Sequence, residues 1–180
     1  MNKSNLETAY GCVIWITGLP GSGKTYLAKK LVSRLIQIGS STVLFDGDDL
    51  RLALDARSNY NRDERIKLAK IYSRLAELIA SQNVYVVVST VSLFHEVHEF
   101  NRQTISNYIE VFLDYPTNLL LDGPRKEMYQ SASTNYLRDI SPEFPINPHI
   151  HLKANSESRR ETWLHDLLEA LPPNFTQITS

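Results

Sequence analysis

Apolar positions along the chain follow two rhythms that alternate from one end to the other. Short runs rich in β-branched and aromatic residues read as strands covered on both faces: CVIWIT at 12–17, STVLF at 41–45, NVYVVVST at 83–90 and YIEVFLD at 108–114. Between them the period lengthens to that of a helix. After the first run, Leu27, Leu31, Leu35 and Ile38 share one face, and Gly39 supplies a stop. A second helix is predicted over 63–82, with Asn61 and Glu64 as its capping pair. Its buried stripe is Ile66, Ala69, Tyr72, Leu75 and Ile79, and Asn83 ends it. A third helix is expected over 94–106, and Pro116 opens a short helical stretch that Pro124 interrupts. Residues 133–149 carry three prolines and no period, as expected of a loop or lid over a site. IHL at 150–152 reads as a last short strand. Ser158 with Glu161 forms a capping box for a closing helix to Leu171, stopped by Pro172 and Pro173.

Alternating βα units predict an α/β fold, a parallel five-stranded sheet with helices on both faces and ligands at the carboxyl ends of the strands. The run at 83–90 is the most apolar and is expected at the centre of the sheet. One domain over 1–180 accounts for the length, with 1–10 an N-terminal extension and 172–180 a tail.

The loop between the first strand and the first helix reads GLPGSGKT, which satisfies G-x-x-x-x-G-K-[ST], the phosphate-binding P-loop. Each residue type has a physical reason. Gly18, Gly21 and Gly23 let the backbone curl so that successive N–H groups point at phosphate oxygens. Lys24 brings a point charge to the β- and γ-phosphates, and the Thr25 hydroxyl is a magnesium ligand. A helix starting there aims its positive end at the same anion. Leu19, Pro20, Ser22 and Tyr26 complete the ATP-contacting stretch. The strand–loop–helix context fits a three-layer P-loop NTPase fold rather than a chance match in a Gly-rich turn.

Two absences and one cluster narrow the chemistry. No N-K-x-D guanine signature follows the fourth strand, and the third strand ends in Ser89-Thr90 without an acid at its tip. The acids stand instead after the second strand, in DGDDLR at 46–51. A carboxylate beside the P-loop can take the proton of an acceptor hydroxyl while another orients magnesium-bound water. The plain alternative is a turn, in which Asp and Gly are common, but three carboxylates clustered beside a P-loop favour function.

These residues carry a family resemblance. FDGDDLR, following GLPGSGKT at this spacing, resembles the DGDNVR element of adenylyl-sulfate kinases (APS kinases), which transfer the γ-phosphate of ATP to the 3′-hydroxyl of adenylyl sulfate. The similarity extends from Val13 to about Ala132. ALDARSNYNRDER at 53–65 stands where the family has GLNxDLGFSxxDR, and VSTVSLFHEVHEFNR at 88–102 parallels ISAFISPY and its downstream arginine. YIEVFLDYP is similar to EVFVDTP, and INPHIHL to ENPELVI. The resemblance implies Asp48 as general base and Asp46 as support for magnesium. Arg51 and Arg65 would hold the acceptor's anionic end, with a forked guanidinium suited to phosphate or sulfate. Tyr60 would stack on the acceptor base, Ser92 would hydrogen-bond the acceptor, and Lys126 matches the lysine of KGLY. Lys70 replaces an arginine of the acceptor helix. The resemblance also implies ATP and Mg2+ as cofactors, a small nucleotide acceptor and a homodimer.

Departures cluster where the acceptor is recognised. RDxKGLYKKA appears as GPRKEMYQSA at 123–132, so the RD pair is lost and Arg125 lies two residues away. The following lid is shortened, and FxGIDxPYE is reduced to NYLRDISPE at 135–143. Leu93 stands at the proline of ISP. SLFHEVHEFNR looks closer to capsule-pathway relatives that phosphorylate acceptors such as cytidine diphosphoramidate. Three readings therefore stand: an adenylyl-sulfate kinase, a kinase for a cytidine-nucleotide acceptor, and a nucleotide-binding regulatory module with weak catalysis. His95 and His98 have a spacing compatible with metal, but without a third ligand they read as a half-exposed helix face.

Composition adds limits. A formal net charge of −1 gives no basic field for nucleic acid or an anionic membrane. The one cysteine, Cys12, reads as a small buried hydrophobe in a reducing compartment. No run approaches transmembrane length, and the N-terminus lacks a signal peptide's apolar stretch, so the expected location is cytoplasmic.

Overall fold

Strand β1 (Val13–Thr17) is buried along its whole length because both of its faces carry large apolar side chains. Cys12, Ile14 and Ile16 face one side of the sheet, and Val13 and Trp15 the other. The computed structural model describes residues 11–56, 61–121, 129, 141–153 and 162–172. Strands β2 (Thr42–Asp46), β3 (Tyr85–Ser89), β4 (Tyr108–Asp114) and β5 (Ile150–Lys153) join β1 in a parallel sheet of order β2-β3-β1-β4-β5. The expected five-stranded parallel sheet thus forms. Its centre differs from expectation: β1 is the middle strand and β3 lies one place off. A run such as 83–90 is apolar because it is flanked and covered on every side, a condition β3 already meets between β2 and β1.

Helices α1 (Lys24–Gln37) and α6 (Trp163–Ala170) cover one face of the sheet, with Leu27, Leu31, Leu35, Trp163 and Leu167 in the core. Helices α3 (Arg62–Ala80) and α4 (His95–Thr104) cover the other, with Ile66, Ala69, Tyr72 and Val97. Two short helices, α2 (Gly47–Ala53) and α5 (Thr117–Leu121), follow β2 and β4. Helix α1 ends as expected. Gly39, at φ +82°, donates to Ile36 and Ser40 donates to Leu35, the paired bonds of a Schellman stop.

Helix α3 carries the expected capping box, with Glu64 N–H donating to Asn61 Oδ1 and Asn61 N–H to Glu64, both at 2.9 Å. Its buried stripe needs correction. Leu75 and Ile79 are only half-buried, while Ala76 and Ala80 take the positions against the sheet. Small residues there let the helix approach the strands closely, so the larger neighbours lie at the flank. The pair Ser158 and Glu161, Pro124 and residues 133–140 lie outside the described residues. Among the described residues no helix is long and apolar enough to cross a membrane.

Candidate functional site

The sheet order reverses at β1, and the loops at the carboxyl ends of β1, β2 and β3 meet above that point. There a cleft of about 240 Å3 is lined by the P-loop, the start of α2 and residues 89–91. The P-loop backbone is held in a form only glycine tolerates, with φ +79° at Gly21 and +99° at Gly23. At Gly23 there is a second constraint. A Cβ would lie 2.6 Å from the Trp163 ring of α6, so the indole is packed directly behind the loop. On the other side the Tyr129 hydroxyl donates to the Pro20 carbonyl.

Lys24 and Thr25 open α1 at the cleft floor. Lys24 is buried, 7% exposed, and its Nζ donates to the Leu19 carbonyl at 2.7 Å. The Thr25 hydroxyl donates to Asp46 Oδ2 at 2.7 Å and lies 3.3 Å from Ser89 Oγ. Asp46 is the N-cap of α2. Its Oδ1 accepts from Asp48 N–H at 3.0 Å, which leaves Oδ2 for Thr25. One carboxylate therefore links the tip of β2 to the head of α1. Gly47 allows this crowding, since a Cβ there would stand 3.1 Å from Thr90 Oγ1. Asp48 and Arg51, one turn apart on α2, form an ion pair at the cleft mouth.

Thr25 and Asp46 offer two hard oxygens at the P-loop end of the cleft, donors of the kind that suit magnesium. Among the described residues no cluster of three His, Cys, Asp or Glu side chains exists to hold a cation alone. The donor set fits magnesium bound with a nucleotide.

The profile of the adenylylsulphate kinase family matches residues 10–153. The chain belongs to this family. A cytidine diphosphoramidate kinase of Campylobacter jejuni is 33% identical over 128 residues, covering 71% of this chain and 75% of that protein. An adenylyl-sulfate kinase of Rippkaea orientalis is 29% identical over 157 residues, 84% of this chain and 87% of that one. The Mycobacterium tuberculosis APS kinase CysC, solved in complex with AMPPNP and APS, aligns with a TM-score of 0.75 at 26% identity, covering 89% and 97% of the two chains. As a member of the adenylylsulphate kinase family, the chain is an ATP-dependent kinase acting on a hydroxyl acceptor.

Within this family member, the cleft brings together Pro20, Gly21, Gly23, Lys24, Thr25, Asp46, Asp48 and Arg51 of the residues singled out from sequence. Gly18, Leu19 and Ser22 are buried in or beneath the same loop, and Tyr26 sits on the first turn of α1 with Lys30 over its ring. Ser92 is buried, at φ +26°, with its hydroxyl 3.1 Å from Thr90 Oγ1. Arg65 is half-buried on the first turns of α3. Lys70 points elsewhere than the cleft. Five residues further along α3, its amine bonds Glu96 at 2.6 Å and lies 5.1 Å from the Phe100 ring centre. Tyr60, Lys126 and Arg125 lie outside the described residues.

The two histidines part company. His95 is exposed, but His98 is buried and bonds the Ser92 carbonyl at 3.1 Å, which corrects the expectation of a shared half-exposed face. Sequence reasoning gave no role to Ser89, Thr90, Tyr129 or Trp163. Ser89 and Thr90 end a strand beside β1, and that position alone marks them for the cleft. Tyr129 is the tyrosine of the KGLY-like stretch, whereas nothing local distinguishes Trp163 from a core aromatic.

Proposed function

We propose that the chain, as a single kinase domain with ATP and magnesium, phosphorylates the 3′-hydroxyl of adenylyl sulfate or a similar nucleotide-linked acceptor. The observation that carries this reading is the Asp46 bridge to Thr25, which supports a shared site for the β2 acids and the P-loop. Lys24 and the loop amides hold the β- and γ-phosphates. Thr25 and Asp46 would hold magnesium, which when bound neutralises charge on those phosphates.

Asp48, half-exposed at the cleft mouth, takes the proton as the acceptor oxygen bonds to the γ-phosphorus. The bond from that phosphorus to the β,γ-bridging oxygen breaks, and ADP leaves. Arg51, paired with Asp48, holds the acceptor's anionic group and keeps the carboxylate oriented. A cytidine nucleotide such as cytidine diphosphoramidate is the second reading for the acceptor. The Campylobacter jejuni relative and the lost RD pair support it.

An ADP-release assay with each acceptor tests the reading. Lys24→Ala is expected to abolish turnover. Asp48→Asn should retain ATP binding and lose transfer by about a hundred- to ten-thousandfold. Near-normal transfer by Asp48→Asn would remove Asp48 from the role of base. ATP binding without turnover of either nucleotide would remove both acceptor readings.

A further inference from the structure

Helix α4 has an unusual start. Its N-cap residue is Phe94, whose side chain can accept no hydrogen bond, so the first turn needs an acceptor from elsewhere. Glu143 supplies it. Its Oε2 accepts from the His95 N–H at 2.7 Å, placing a carboxylate at the positive end of the helix. Its Oε1 forms an ion pair with Arg62, the first residue of α3, whose guanidinium lies 5.4 Å from the Phe94 ring centre. The backbone follows the same line. Glu143 N–H donates to the Leu93 carbonyl at 2.9 Å, and the Phe144 carbonyl accepts from His95 Nε2 at 2.9 Å.

Burial opposes the charge on Glu143, yet its hydrogen bonds from Arg62 and His95 N–H outweigh this and hold its carboxyl below the usual range. One side chain thus joins three segments distant in sequence. Two of them carry acceptor-side candidates. Leu93 directly follows Ser92 and the cleft residue Val91, and Arg62 lies one turn before Arg65.

We infer that Glu143 is a positioning residue for the acceptor, fastening the start of α3 to the β3–α4 loop so that acceptor-side groups face the P-loop in fixed register. The inference rests on the acceptor reading given above. The nucleotide side of the cleft has buttresses of its own, Trp163 behind Gly23 and Tyr129 on the Pro20 carbonyl.

Three variants of the full chain test it: Glu143→Gln, Glu143→Ala and Arg62→Met. The glutamine carbonyl still accepts from His95 N–H but loses the charge pair, whereas alanine loses both. In steady-state assays the KM for the acceptor should rise about tenfold in Glu143→Gln and Arg62→Met, and further in Glu143→Ala. The KM for ATP should stay within about twofold, since binding of ATP makes no use of this contact. A double variant Arg62→Met/Glu143→Gln should be no worse than either single one, because both remove the same pair.

Amide exchange adds a readout independent of turnover. It should quicken at 62–65 and 95–98 in Glu143→Ala and stay unchanged in the P-loop. An unchanged acceptor KM in Glu143→Ala, or a parallel rise of both KM values, overturns the positioning role. So does unchanged exchange at 62–65 and 95–98. If the unsubstituted chain phosphorylates no nucleotide acceptor, the acceptor reading itself fails and the positioning role falls with it.

Discussion

His95 and His98 stand three residues apart on α4, in different media. His95 meets water, while His98 is buried and donates from Nε2 to the Ser92 carbonyl, leaving Nδ1 without a partner among the described residues. Protonating that nitrogen would bury an unsatisfied charged N–H. Burial accordingly lowers the His98 pKa to about 4, with Arg102 and His95 adding to the effect and the Ser92 carbonyl and Glu143 opposing it. The folded state prefers neutral His98, and the unfolded chain titrates near the ordinary value of about 6.5. The stability it confers is therefore complete above about pH 6.5 and lost as pH falls toward 4. Thermal melts from pH 7 to 4 should show wild type losing roughly 3 kcal/mol more than His98→Gln over that window. Parallel pH slopes in the two proteins would refute this origin. Spacing along a helix does not reveal which of two histidines faces the sheet side, so this difference was not legible in the sequence.

Elements differ in where their ends are encoded. Helix α3 starts with a cap written within four residues, Asn61 to Glu64, and that start was readable in advance. Asn61→Ala should cost about 1 kcal/mol, read as a lower urea midpoint with unchanged m. A loss near zero would mean that the Arg62–Glu143 pair alone secures this end. The Gly39 stop of α1 is equally local. Helix α4 is the opposite case, because its cap comes from Glu143, 48 residues away. The acids of 46–51 point to function from sequence, but the seven-residue helix α2 that carries them is not legible there, since two turns give too little periodicity to detect. Asp46 caps it, and that local bond fixes which carboxylate oxygen faces Thr25.

Across the whole molecule, an ion pair between the exposed Arg102 and a buried glutamate ties the α4 face to the sheet. Glu110 on β4 is fully buried, and its Oε2 accepts from Arg102 of α4. Arg102 also donates to the Asn147 carbonyl at 2.9 Å, and Glu110 N–H donates to His149 Nδ1 at 2.9 Å. Burial raises the Glu110 pKa, and the Arg102 charge and hydrogen bond pull it back. Arg102→Met should strand the carboxylate and cost about 3–5 kcal/mol, a fall in Tm on the order of 10 °C. Without its partner the buried carboxyl takes up a proton, so the loss should be larger at pH 8 than at pH 5. Adding Glu110→Gln should recover part of it. A small, pH-independent change in Tm would show that the pair contributes little.

The amino-acid sequence by itself determined what depends on neighbours within a few residues. The alternation of strands and helices, the P-loop, the capping box of α3 and the stop of α1 all arise from local backbone preference and side-chain period. Tertiary structure decided what requires meeting across space. It put β1 rather than β3 at the centre and set Ser89 beside Thr25, 64 residues apart. It brought Tyr129 to Pro20, 109 residues away, and Trp163 behind Gly23. It also gave Glu143 its hold on α3 and α4. Apolar period specifies which face of an element is covered but carries no label for its partner, and that choice is made only when the layers pack.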